Sequence, residues 1–169
     1  MLIRLAIDKD LTVINRIYNQ AVEERFCTAH LEPRSLDERR EWFRAHDPLT
    51  HPVFVSEVRG NVTGWVSLGA YRKGREALAH VAEVSYYVDA GERGRGTGSA
   101  LLEHVISVAP DFGFSVLIAI LLSENPASIA LLGKFGFAAW GSMPSVARIG
   151  EYLADHLYYG LHLDQVGGS

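Results

Sequence analysis
The sequence predicts an α/β domain, a mixed central β-sheet flanked by helices on both faces. Along 169 residues, strand-like segments rich in β-branched and aromatic residues interleave with segments of helical period. The run FSVLIAILL (114–122) is apolar throughout, as a buried parallel strand should be. A glycine-rich stretch, GERGRGTGSALL (91–102), stands between a strand and a helix.

LIRLAI (2–7) reads as the first strand, and Asp8 as the cap of a helix with apolar positions Leu11, Ile14, Ile17, Tyr18 and Val22. SLDE (35–38) is a capping box, with Ser35 at N-cap and Glu38 at N3; a short helix carrying Trp42 and Phe43 follows. Pro48 and Pro52 punctuate the next loop. VFVSEV (53–58), a turn at Arg59-Gly60-Asn61 and VTGWVSLGAY (62–71) form a hairpin. YRKGREALAH (71–80) is a polar loop, and VAEVSYYV (81–88) a strand. GSALLEHVISVA (98–109) is a helix with Leu101, Leu102, Val105, Ile106 and Val108 mainly on one side. NPASIALLGKF (125–135) has Asn125 at N-cap and Pro126 at N1, with Gly136 at the C′ position that ends the helix. Strands near 137–142 and 151–163 complete one domain over residues 1–163. The tail, 164–169, reads as disordered from Gln165 onward.

Composition narrows the function classes. The chain is 48% hydrophobic, enough to bury a core, and its net charge of −4 argues against a general nucleic-acid or anionic-membrane binder. A single cysteine, Cys27, provides neither a disulfide framework nor a thiolate metal cluster and fits a reducing compartment. MLIRLAIDKD lacks the apolar stretch of a signal peptide, and no run approaches ~18 apolar residues, so a soluble cytoplasmic protein is expected. The histidines, at positions 30, 46, 51, 80, 104, 156 and 162, form no H-E-x-x-H pattern, and no metal site is expected.

Backbone N–H groups left free at a helix start can converge on one anion, and the helix dipole adds about half a positive charge. Gly94, Gly96 and Gly98 allow close main-chain approach, and Arg93 and Arg95 add charge at the rim. This chemistry suits a pyrophosphate. The pattern is neither Walker A nor the dinucleotide fingerprint, and on the glycines alone a flexible turn with solvated arginines explains it equally well.

Glu83 lies mid-strand among apolar residues. A carboxylate there is costly to bury unless paired, and burial raises its pKa toward the range of a general base. A salt bridge with a nearby arginine is the structural alternative. Tyr158, Tyr159, Trp65 and Trp140 read as core or interface residues, and Cys27 precedes no recognisable nucleophile motif.

Arg93-Gly94-Arg95-Gly96-Thr97-Gly98 matches R/Q-x-x-G-x-G/A. Together with IYN (17–19), AEVSYYVD (82–89), Asn125 with Ser128, and GF (136–137), this motif makes the chain resemble the GNAT family of N-acetyltransferases to about residue 163. Within that family it resembles the branch acting on phosphinothricin and methionine sulfoximine. The resemblance implies the GNAT fold, acetyl-CoA as co-substrate, no metal, and acetylation of the amine of a small amino-acid-like substrate by direct attack on the thioester. It implies that the strand before the glycine loop splays from its neighbour to admit the pantetheine arm, held by main-chain groups of Tyr86, Tyr87 and Val88. Gly94, Arg95, Gly96, Thr97, Gly98 and Ser99, with Arg93, would hold the pyrophosphate, and Asn125 would reach the cofactor, although a helix cap alone also explains Asn125. Arg72, Glu83 and Ser85 would meet the substrate, with Glu83 as the base. Many relatives carry a histidine, proposed as a second acid/base, where this chain has Leu132. That departure keeps a non-catalytic acyl-CoA-binding module open beside the enzyme; a GNAT acting on a polyamine, an aminoglycoside or a protein N-terminus is a separate alternative. Relatives are commonly dimers, which implies a homodimer.

Overall fold
A computed structural model describes residues 1–163, so the expected disordered tail lies outside the described residues. The elements run β1 (Leu2–Leu5), α1 (Leu11–Glu24), α2 (Leu36–Arg44), β2 (Val53–Val58), β3 (Asn61–Ala70), β4 (Val81–Val88), α3 (Thr97–Val108), β5 (Val116–Leu122), α4 (Pro126–Lys134), β6 (Ala138–Ile149) and β7 (Tyr152–His162). The strands form one sheet of order β1-β2-β3-β4-β5-β7-β6. It is antiparallel except where β4 meets β5. The mixed sheet expected from the sequence is therefore present.

Strand alternation divides the core between the two faces. Val66 and Leu68 of β3 and Val84 of β4 pack with Leu101, Leu102 and Val105 of α3 and Leu132 of α4. Trp65, on the opposite face of β3, packs with Ile14, Ile17 and Tyr18 of α1 and with Trp42 and Phe43 of α2. Ile14, Ile17, Trp65, Leu101 and Leu102 are at most 1% exposed, and burying an aliphatic side chain this fully contributes about 1.5–3 kcal/mol.

The first helix begins differently from expectation. Asp8 is not its cap; Asp8–Asp10 form a 3₁₀ turn, and α1 starts at Leu11. The reason lies in Asp10, which is buried. Its carboxylate accepts two hydrogen bonds from Arg4, at 2.7 and 3.0 Å, and one from the Ile7 amide at 2.9 Å. Burial pushes this carboxyl up, but the Arg4 and Ile7 hydrogen bonds outweigh it and hold it below its usual range. Arg4 also donates to Glu57 of β2 at 2.9 Å, which ties β1 to its neighbour.

Strand β6 is longer than the segment read from sequence, reaching Ile149. Gly141, Pro144 and Ser145 look like turn residues. The strand accommodates them in two register irregularities against β7, with Ser145 at φ 55°.

The capping box of α2 is present: Ser35 Oγ accepts from the Glu38 amide at 3.2 Å, and Glu38 accepts from the Ser35 amide at 2.8 Å. Ser35→Ala should lower stability by about 1 kcal/mol. Urea denaturation should show a reduced midpoint with an unchanged slope.

Candidate active site
Parallel pairing between β4 and β5 covers Val81↔Val116, Ala82↔Leu117 and Glu83↔Ile118 and then stops. On its other edge β4 stays paired with β3 as far as Val88↔Gly64. Beyond Glu83 the backbone groups of β4 that face β5 therefore have no strand partner. The parting opens a slot through the sheet, with a cavity at each mouth.

On the α3/α4 side the cavity has a volume of about 550 Å³ and is lined by Tyr86, Val88, the glycine loop, Asn125 and Leu132. On the α1/α2 side a cavity of about 460 Å³ is lined by Tyr18, Arg39, Trp42, Trp65, Ser67 and Glu83. Ser85, Tyr87, Ile120, Leu121 and Cys27 line both. An elongated molecule threaded through the slot can thus meet a second molecule on the far face.

The glycine loop presents main-chain donors at the start of α3. Gly96, the N-cap of α3, has φ 85° and no side-chain cap. The first helical hydrogen bond runs from Ala100 to the Gly96 carbonyl at 3.0 Å, so the amides of Thr97, Gly98 and Ser99 remain free. A Cβ on Gly96 would meet no protein atom within 4 Å, whereas one on Gly98 would meet Leu131 at 3.2 Å. Gly96 therefore leaves space open to a ligand, and Gly98 allows close packing of α3 on α4.

The arginines contribute less directly. Arg93 lines the cavity, but its guanidinium is held by Glu24 of α1 at 2.6 and 3.1 Å. Arg95 pairs with Glu92 at 3.0 Å and lies outside the cavity lining. Asn125 caps α4 by accepting from the Ser128 amide at 3.1 Å and lines the cavity as well. The buried Tyr86 hydroxyl, near Ser128, makes no hydrogen bond of normal geometry among the described residues. Free amides, an uncapped helix N-terminus and an open strand edge fit a long, amide-bearing pyrophosphate.

Glu83 projects into the opposite cavity. Burial raises its pKa, and among the described residues it has no ion pair, which leaves the salt-bridge alternative unsupported. Ser85, its neighbour on the same face, stands opposite Ser67 of β3. Arg72 is exposed in the turn after β3 and lines neither of these two cavities. Burial pushes the Cys27 thiol up to about 12, and it donates to Glu24 at 3.2 Å. It is no ready nucleophile.

Sequence reasoning missed Arg39, the one buried residue of α2. Its guanidinium carbon lies 4.3 Å from the ring centre of Tyr18, 4.7 Å from Trp42 and 5.7 Å from Trp65. A signal was present: Leu36, Arg39, Trp42 and Phe43 share a helical face. The IYN segment also acquires a physical role. Asn19 accepts from the Arg34 amide at 2.8 Å and donates to its carbonyl at 2.9 Å, anchoring the approach to α2.

Residues 14–137 match the acetyltransferase (GNAT) family. The chain belongs to this family. It is 36% identical to the L-amino acid N-acyltransferase of Escherichia coli, over 98% of this chain and 95% of that one. It is also 36% identical to the L-methionine sulfoximine/L-methionine sulfone acetyltransferase of Salmonella typhimurium, over 98% and 96%. A GNAT superfamily phosphinothricin acetyltransferase from Sinorhizobium meliloti, solved in complex with AcCoA, superposes with a TM-score of 0.89 at 29% identity, over 95% of this chain and 87% of that one.

The raised pKa of Glu83 has a measurable consequence. As pH climbs from the unfolded value of about 4.5 through the higher folded value, ionising Glu83 costs the folded protein stability. Glu83→Gln should therefore match the wild type in acid and exceed it in stability at neutral pH. Paired urea titrations at pH 4 and pH 7.5 should show the gain only at the higher pH.

Proposed function
We propose that this GNAT protein is an acetyl-CoA-dependent N-acetyltransferase for small amino-acid-like substrates of the phosphinothricin or methionine sulfoximine type. The observation that carries this reading is the slot after Glu83, where a cradle for a pyrophosphate-bearing thioester meets a second cavity containing an unpaired carboxylate.

When bound, acetyl-CoA supplies an activated acyl group. The free amides at the start of α3 hold its pyrophosphate, with Asn125 beside them. The open edge of β4 from Tyr86 to Val88 holds the pantetheine arm and directs a backbone N–H at the thioester oxygen, where charge develops. The acceptor amine attacks the thioester carbon; the new N–C bond replaces the C–S bond, and the sulfur leaves as thiolate. Glu83 takes the amine's proton, directly or through one water. A free amino acid's α-amine, beside its own carboxylate, is more basic than a peptide N-terminus of pKa near 8, so deprotonation at pH 7 costs more than about 1.4 kcal/mol, which proton transfer to Glu83 and positioning together offset. Leucine at position 132 is compatible with this one-base scheme.

Arg39, which has no carboxylate partner among the described residues, disfavours polyamine and aminoglycoside acceptors in the acceptor cavity. The same reading places the protein in the cytoplasm as a homodimer. Exposed apolar residues on the β6–β7 hairpin, Trp140, Met143, Val146 and Leu153, support this part of the reading as ones a second copy would cover.

Thiol release from acetyl-CoA with a panel of amino acids tests the reading. Cofactor binding without release for any acceptor would identify a binding module instead. Gly96→Ala should weaken acetyl-CoA by at least ~10-fold in calorimetric titration. Gly60→Ala, equally strained at φ 80° but in the β2–β3 turn, should leave that affinity unchanged. Glu83→Gln should lower kcat about 10²-fold at pH 7, and the deficit should shrink as pH rises through the amine's pKa.

A further inference from the structure
Arg39 is 5% exposed, yet among the described residues it pairs with no carboxylate. Its one hydrogen bond there is a long one, from Nε to Asn15 Oδ1 at 3.4 Å. The other nearby charges are committed. Arg34 is matched by Glu38 at 2.8 Å, Glu38 also closes the capping box, and the His30 ring meets the Tyr18 hydroxyl. Aromatic faces favour the guanidinium but leave its terminal N–H groups unbonded. A buried cation with open donors, lining the cavity that holds Glu83, is completed by an anion that arrives from solution.

We propose that Arg39 is the acceptor's oxyanion seat, binding a carboxylate or phosphinate through its terminal N–H groups while the amine of the same molecule faces Glu83. The proposal rests on the amino-acid acceptor reading above and names the residue that selects it. A guanidinium fork matches both oxyanions in two-point geometry, which a lysine cannot reproduce. On the strand floor, Trp65 lies opposite Tyr87, Ser67 opposite Ser85 and Gly69 opposite Glu83. The cation over Trp65 and the carboxylate of Glu83 therefore stand at opposite ends of a row, with two serines between them. That polarity suits a molecule with an amine at one end and an oxyanion at the other.

The test compares wild type, Arg39→Met and Arg39→Lys with methionine sulfone, its primary carboxamide and phosphinothricin. Circular dichroism and the KM for acetyl-CoA serve as checks on the fold. If the seat takes the α-carboxylate, wild type prefers the sulfone to its carboxamide by at least ~10-fold in KM, and Arg39→Met erases the preference. If it takes the side-chain phosphinate, the erased preference is that for phosphinothricin over the sulfone. In either case Arg39→Lys restores only part of it. Both preferences persisting in a folded Arg39→Met protein would overturn the proposal.

A second readout needs no turnover, because Trp42 and Trp65 flank the guanidinium. Acidic acceptor should change tryptophan fluorescence saturably in wild type but not in Arg39→Met, and the carboxamide of a neutral side chain should change it in neither. Saturation without thiol release from any acceptor would sink the transferase reading and leave the seat standing. No saturation in wild type, together with no preference among acceptors, would overturn the seat.

Discussion
The site depends on where β4 lets go of β5. The two strands share three residue pairs and part after Glu83 and Ile118, while β4 remains bonded to β3 up to Val88. A fully zipped ladder would close the sheet and leave two unrelated hollows on its faces. The parting converts the free edge of β4 into a row of hydrogen-bonding groups and turns the hollows into one passage. Sheet position also decides which face each side chain occupies: Glu83, Ser85 and Tyr87 the α1/α2 face, and Val84, Tyr86 and Val88 the α3/α4 face.

Around that passage the protein keeps groups whose polar requirements it does not meet itself. Glu83 is pushed toward its neutral form by burial, and Arg39 lies among rings with no counter-ion among the described residues. The amides of Thr97 to Ser99 have no acceptor within the helix. Several other charges are matched within the protein: Arg4 with Asp10 and Glu57, Arg16 with Asp89, and Arg93 with Glu24. The contrast separates architecture from site. Matched pairs fix β1 against the turn that opens α1 and the glycine loop against α1, while the unmatched Glu83, Arg39 and helix-start amides line the passage.

Most of the fold was legible in the sequence because its signals are local. β-branched and aromatic segments with a hairpin turn marked β2 to β4, the capping box marked α2, and Asn125-Pro126 marked the start of α4. Asp10 displaced Asp8 at the first helix because Arg4, six residues earlier, captured its carboxylate, and a cap rule cannot anticipate a partner on the preceding strand. The far half of β6 was hidden by residues that ordinarily mark turns. In the site, the glycine motif and Glu83 carried recognisable chemistry. Arg39 did not, because it sits in the charge-dense run DERRE, where solvation is the ordinary expectation. Only the packing of α2 against Tyr18 and Trp65 buries it. Arg72 was expected at the substrate from the family resemblance, yet the turn that carries it is exposed.

The central claim is that acyl group and amine meet in one continuous passage, so that transfer is direct. Cys27 lines both cavities and is the residue through which an indirect route would run. Its thiol, held as SH by burial, makes that route unfavourable. Initial rates measured across a grid of acetyl-CoA and amino-acid concentrations discriminate between the two. The account predicts intersecting double-reciprocal lines, with the same pattern and a similar kcat in Cys27→Ala. Parallel lines in the wild type, accompanied by an acetylated Cys27 detectable by mass spectrometry, would contradict it.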